Sequence, residues 1–108
     1  MSKRTTASEA EISRAIMDYL AARHVFSLRM NSGTRIGEYK DKKWAIHMHA
    51  PGTADMVIFP KGRVIWCEVK SATGKQSELQ RSFQTQVEEQ GHRYIIARST
   101  LDVAESLK

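Results

Sequence analysis

The chain has 108 residues, 41% of them apolar, enough for one compact domain over 1–108 and too few for two. It has no apolar run of about 18 residues that could span a membrane, and residues 1–7, expected to be a flexible N-terminus, lack the apolar core of a signal peptide, so a cytoplasmic setting is expected. Seventeen Lys and Arg against twelve Asp and Glu favour a polyanionic partner without proving one, and a single cysteine excludes an internal disulfide and a cysteine zinc cluster.

Residues 8–22 read as a helix: Ser8 is a suitable cap, Glu9 and Glu11 sit where the helix dipole favours acids, and Ile12, Ile16, Tyr19 and Leu20 recur at helical spacing. A first β-prone run covers 25–30. From 31 to 52 the pattern dissolves into an excursion with Gly33, Gly37, a charged run at 40–43 and Pro51-Gly52, holding at most a short strand near 44–48. Strands return at 56–59 and 64–69, joined by the turn 60–63. Ser77 caps a second helix to about residue 90, with Leu79, Phe83 and Val87 on one face and Gly91 as its stop. A strand at 94–97 and a short helix at 100–107 complete the chain, and Cys67, within an apolar run, is expected to be buried. The class is α/β, in the order helix, three strands, helix, strand, helix.

The chemistry concentrates in the hairpin. With Lys61 and Gly62 at its tip, Ile58 faces Ile65 and Asp55 faces Glu68, and alternation keeps Val57, Phe59, Val64, Trp66 and Lys70 on the same face as the acids. Directly opposed residues stand roughly 4.5–5.5 Å apart at Cβ, where two like charges repel unless a proton or a cation lies between them. Hard cations such as Mg²⁺ favour carboxylate and carbonyl oxygens, and the Val69 carbonyl is a further candidate ligand. Lys70 would then hold water or neutralise a phosphate, giving metal-assisted hydrolysis. Such residues also meet by chance on surface hairpins, but Glu68 and Lys70 close an apolar strand, where charges are less casual.

Gly52-Thr53-Ala54-Asp55 followed by Glu68-Val69-Lys70 resembles the PD-(D/E)xK nuclease signature, and in particular the VRR-NUC family. That family shows an acidic residue on an N-terminal helix, Arg-x-Asn-x-Gly, Gly-x-x-Asp, Glu-x-Lys and a helix bearing Gln. Glu9, Arg29-Met30-Asn31-Ser32-Gly33 and Gln80 match the remaining parts, so the likeness runs from about residue 8 to 99. One departure is Thr53-Ala54, where a proline often precedes the aspartate. The resemblance implies an α-β-β-β-α-β core with a mixed central sheet flanked by helices, plus the short C-terminal helix. It also implies a Mg²⁺- or Mn²⁺-dependent endodeoxyribonuclease with Asp55, Glu68, Lys70, Gln80 and Glu9 as catalytic residues and Asp55, Glu68, Val69 and Glu9 around the metal.

Glu11 is the alternative to Glu9, and either is equally a simple dipole-favouring acid. Gln80 shares a side with Phe83 and Val87 and is expected to lean over the site, though an exposed helix glutamine reads the same way. Arg29, Asn31 and Lys75 are candidate phosphate contacts, as are Lys42 and Lys43 in the cluster with Lys40 and Trp44, yet each is equally at home as a solvated charge. His47 and His49 lack a third metal-ligating partner, and His24 and His92 suggest none.

Small stand-alone members of this family imply homodimers that cut branched DNA such as four-way junctions, in the cytosol of a bacterium or phage-infected host. Two sites related by a two-fold axis suit a symmetric substrate, with Phe26, Leu28, Ile36 and Tyr39 as candidate interface residues. Two rivals stand beside this reading: a non-catalytic DNA-binding module of the same fold, and a partner-binding protein whose charge serves solubility.

Overall fold

The computed structural model describes residues 6–30, 34–39, 42–47 and 51–108. Helix α1, Glu9–Ala22, begins with a capping box: the Ser8 hydroxyl accepts from Glu11 N, and the Glu11 carboxylate accepts from Ser8 N at 2.9 Å. Its buried face is Ile12, Ile16 and Leu20, while Tyr19 packs half-buried at the edge beneath the Arg23 guanidinium. The helix turns off at His24, whose φ of 57° occupies the left-handed region usually taken by glycine, so this histidine has a backbone role.

Strand β1, Phe26–Arg29, pairs antiparallel with β4, Met56–Phe59, and β4 pairs antiparallel with β5, Ile65–Val69. The hairpin register is the expected one, with Ile58 opposite Ile65 and Met56 opposite Cys67. Helix α2, Glu78–Glu89, carries the chain back so that β6, Arg93–Ala97, lies parallel to β5, and α3, Thr100–Ser106, closes it. The result is a mixed four-stranded sheet of order β1-β4-β5-β6.

Alternation along the strands assigns a helix layer to each face. Met56, Ile58, Ile65, Cys67, Val69 and Ala97 pack with Ile12, Ile16 and Leu20 of α1 and Val103 of α3. On the other face Ala54 and Tyr94 pack with Val87 of α2, joined by Trp66, Phe83 and Ile96, with Trp66 and Phe83 meeting edge to face. The molecule is therefore a three-layer α/β fold.

Three expectations change. The excursion carries two strands rather than one: β2, Thr34–Tyr39, and β3, Lys42–His47, form their own antiparallel sheet with Gly37 opposite Trp44. The periodicity hides them because charged and glycine positions interrupt the alternation. Leu79 is 58% exposed rather than packed, and it is the backbone of this first turn of α2 that lies against the Gly52 loop. Asp55 leaves the strand alternation: it sits in a bend before β4, and its carboxylate turns toward β5 instead of sharing a face with Val57 and Trp66. Of the residues expected to form a flexible N-terminus, 1–5 lie outside the described residues, as does Asn31. Among the described residues no helix is long and apolar enough to cross a membrane.

Candidate active site

Gly52 sets the loop that presents Asp55. Its φ is +82°, and a Cβ there would collide with the Leu79 carbonyl, so only glycine lets this backbone lie against the first turn of α2. Ala54 is then buried against the α2 layer, and the Asp55 carbonyl accepts from Met30 N at 2.7 Å, tying the end of β1 to the same point.

The Asp55 carboxylate accepts a hydrogen bond from Val69 N at 2.6 Å. In an extended strand the N–H and C=O of one residue face the same neighbouring strand, so the Val69 carbonyl opens on the Asp55 side. Lys70 N, one residue on, donates to Ala97 O on the β6 side, as alternation requires. The paired register ends at Met56 opposite Cys67, and Asp55, in the bend just before β4, meets β5 through its bond to Val69 N.

Glu68 is fully buried and Lys70 is 9% exposed. The Lys70 ammonium lies 3.7 Å from Glu68 Oε2. Glu68 Oε1 accepts from the Tyr94 hydroxyl at 2.5 Å and from Gln76 Nε2 at 2.9 Å, and Gln76 Nε2 also donates to Gln84 Oε1. Oε2 has no hydrogen bond, and it is the buried side-chain polar atom so left among the described residues. A buried carboxylate oxygen in that state needs a proton or a cation.

Burial raises the pKa of Asp55. The Val69 N–H opposes that shift, the charges of Glu68 and Glu9 add to it, and Lys70 offsets part of it. Burial, helped by the hydrogen bond to Glu68, pushes the Tyr94 phenol up, so it stays a donor at neutral pH. Cys67 is pushed up to about 12 by burial and then by Asp55 and Glu68, so it is an inert core thiol and no nucleophile.

A cleft of about 540 Å³ opens in front of Asp55 and Val69, lined also by Glu9, Ala10 and Ser13 of α1 and by Arg29 and Met30. Glu9 therefore reaches the site and Glu11 does not, because Glu11 holds the cap of α1. Among the described residues no three His, Cys, Asp or Glu side chains converge as a metal cage, so Glu9, Asp55 and Glu68 do not form a three-carboxylate site. Two carboxylates, one of them with a bare Oε2, and a strand-end carbonyl nevertheless fit a cation that keeps much of its own water, as Mg²⁺ does.

Gln80 is not directed at the carboxylates. Its Oε1 accepts from Ser77 N at 2.8 Å while Ser77 Oγ accepts from Gln80 N, the same capping box as in α1. The glutamine that reaches the site is Gln76, placed before the cap, and its partner Gln84 lies one turn after Gln80. The signal for this lies in Ser77-x-x-Gln80, a capping-box pattern that commits its fourth side chain. Tyr94 carries no such signal, since an aromatic residue in a strand reads first as core.

The loop between Lys70 and Gln76 is pinned from β6. The Arg98 guanidinium donates to the Ser71 and Gly74 carbonyls at 2.6 and 2.8 Å. Lys75 is exposed on that loop, and Arg29 is exposed on the cleft rim. Lys42 and Lys43 lie on β3, with side chains outside the described residues.

The chain matches no protein-family model and no curated protein.

Proposed function

We propose that the chain is a metal-dependent endonuclease that hydrolyses DNA phosphodiester bonds on a PD-(D/E)xK plan, resembling the VRR-NUC family. The observation that carries this reading is Glu68 Oε2: buried, without a hydrogen bond, beside Lys70 and one residue before Val69, whose N–H donates to Asp55. A purely structural acid would have both oxygens satisfied.

Asp55, Glu68 and the Val69 carbonyl are the residues that would hold Mg²⁺ or Mn²⁺, with Glu9 acting from the cleft wall through water. Bound there, such an ion supplies acidified water and charge neutralisation at phosphorus. Asp55 and Glu9 line the cleft and Glu68 lies buried behind it, so acidic side chains surround the place where a cation would sit. Lys70, nearly buried and held beside Glu68, brings a desolvated positive charge to the reacting phosphate, where a charge acts more strongly than in water. Arg29 on the rim offers a planar fork to a neighbouring phosphate, Lys75, Lys42 and Lys43 are further candidate cationic contacts, and Asn31 is a candidate neutral one.

Branched DNA, such as a four-way junction, and a homodimer belong to the same proposal, as does a setting in bacterial or phage-infected cytosol. Phe26 and Leu28 are 62% and 46% exposed on β1, the edge strand, and an apolar edge of this kind suits a second copy.

The test is cleavage of labelled duplex, flap and four-way-junction DNA in Mg²⁺, Mn²⁺ and EDTA by wild type, Asp55→Ala and Lys70→Ala. Metal-dependent cutting lost in both variants is expected, with the junction cut fastest. DNA binding without cutting in any metal would instead support the non-catalytic module, and neither binding nor cutting would remove both DNA readings.

A further inference from the structure

The two oxygens of Glu68 live in different surroundings. An ionised carboxylate has about four acceptor positions, two on each oxygen. On Oε1 both are taken, one by the Tyr94 hydroxyl and one by Gln76 Nε2. Gln76 cannot turn away freely, because the same amide nitrogen donates to Gln84 Oε1 on α2. Tyr94 is 7% exposed and sits between Phe83 and the sheet, so its hydroxyl is also fixed in place. Oε2 is left with both positions open and faces the Lys70 ammonium.

We propose that Tyr94 and Gln76 are positioning residues that hold Glu68 as a one-oxygen ligand and thereby make the site discriminate Mg²⁺ and Mn²⁺ from Ca²⁺. The inference rests on the nuclease reading, and it assigns to Tyr94 and Gln76 a role that the Gly-x-x-Asp and Glu-x-Lys motifs do not contain. Mg²⁺ takes near-octahedral coordination from single oxygens at roughly 2.0–2.1 Å and retains waters. Ca²⁺ takes six to eight oxygens at about 2.3–2.6 Å and often grips a carboxylate with both. For Ca²⁺ to use both oxygens of Glu68, the bonds from Tyr94 and Gln76 must break in a buried site. Hydrogen bonds to a charged group are among the stronger ones, so this disfavours the larger ion. Freeing Oε1 removes the penalty.

The experiment uses the full chain without DNA. Mn²⁺ binding is followed by the electron-spin resonance signal of the free ion, and Ca²⁺ is then titrated as a competitor, for wild type, Tyr94→Phe, Gln76→Leu, Glu68→Gln and Gln80→Ala. Thermal unfolding of each variant establishes that it is folded. The expected result is a Mn²⁺-over-Ca²⁺ preference that narrows by about tenfold in Tyr94→Phe and in Gln76→Leu, the scale of one charge-assisted hydrogen bond. Gln80→Ala should keep the wild-type preference, and Glu68→Gln should lose Mn²⁺ binding. A preference unchanged in folded Tyr94→Phe and Gln76→Leu, with Mn²⁺ still bound through Glu68, overturns this inference and leaves the nuclease reading standing. Wild type that binds no Mn²⁺, or Glu68→Gln that binds it as well as wild type, overturns both.

Discussion

The two long helices open in the same way and serve the site differently. Each begins with a serine cap and a reciprocal side chain three residues on, Ser8 with Glu11 and Ser77 with Gln80. In each, the polar residue that completes the cap is the one withheld from the cleft. The residue that reaches the site stands elsewhere: Glu9 in the first turn of α1, and Gln76 just before the cap of α2. The lesson is that a capping box assigns its fourth residue to the backbone, and a functional side chain near a helix start has to be sought at the other positions.

The largest expected effect probes the pair these helices frame. Lys70→Met leaves Glu68 buried without its cation, and removing one partner of a buried pair costs on the order of 3 kcal/mol. Urea unfolding should show that loss, partly recovered by millimolar Mn²⁺, and cleavage should vanish. A Lys70→Met protein as stable as wild type would mean that Glu68 does not depend on Lys70 as its partner.

Next comes the glycine that docks the Asp55 loop on α2. Gly52→Ala places a methyl group against the Leu79 carbonyl at a positive φ, so it should lose more than about 1 kcal/mol and weaken metal binding together. Loss of stability with unchanged Mn²⁺ affinity would separate the loop from the site.

Asp55 supplies a pH test. Its pKa lies above the ordinary carboxylate value because burial disfavours the charge, so the folded protein holds this proton more tightly than the unfolded chain. Stability of the metal-free protein should therefore fall as pH rises from about 4 through the folded pKa. Asp55→Asn should abolish that part of the slope and raise the metal-free melting temperature near neutrality by a few degrees. An unchanged slope in melting curves across pH would contradict a desolvated Asp55.

The smallest effects sharpen the comparison of the caps. Gln80→Ala should lose about 1 kcal/mol and Gln80→Glu only a few tenths, because glutamate also completes the box. Both should act on melting temperature far more than on turnover, whereas Gln76→Ala should do the reverse. If Gln80→Ala removed cleavage without altering stability, the assignment of the two glutamines would be inverted.

Much of the hairpin and its acids is legible in the amino-acid sequence. The short turn at Lys61-Gly62 and the alternation of Met56, Ile58, Ile65 and Cys67 determine the hairpin register, which brings Asp55 and Glu68 to the same end of the hairpin. Glu9, three and seven residues before Ile12 and Ile16, reads as inward-facing from its spacing. What the sequence hides depends on contacts distant along the chain. The Gly52 loop before Asp55 packs on α2, the Tyr94 bond joins residues 26 apart, and Arg98 reaches back 27 residues to Ser71. Local pattern carries no record of such pairs, and β2 and β3 are obscured because their alternation is broken by charge and glycine.

The central claim is that Asp55, Glu68 and Lys70 form one hydrolytic centre. Its most direct test is single-turnover cutting of a four-way junction in Mn²⁺ by wild type and Glu68→Gln, with junction affinity measured on the same samples. Glu68→Gln is expected to bind the junction within a few-fold of wild type and to cut it at least about a hundredfold more slowly. Equal cutting by the two proteins would contradict the claim.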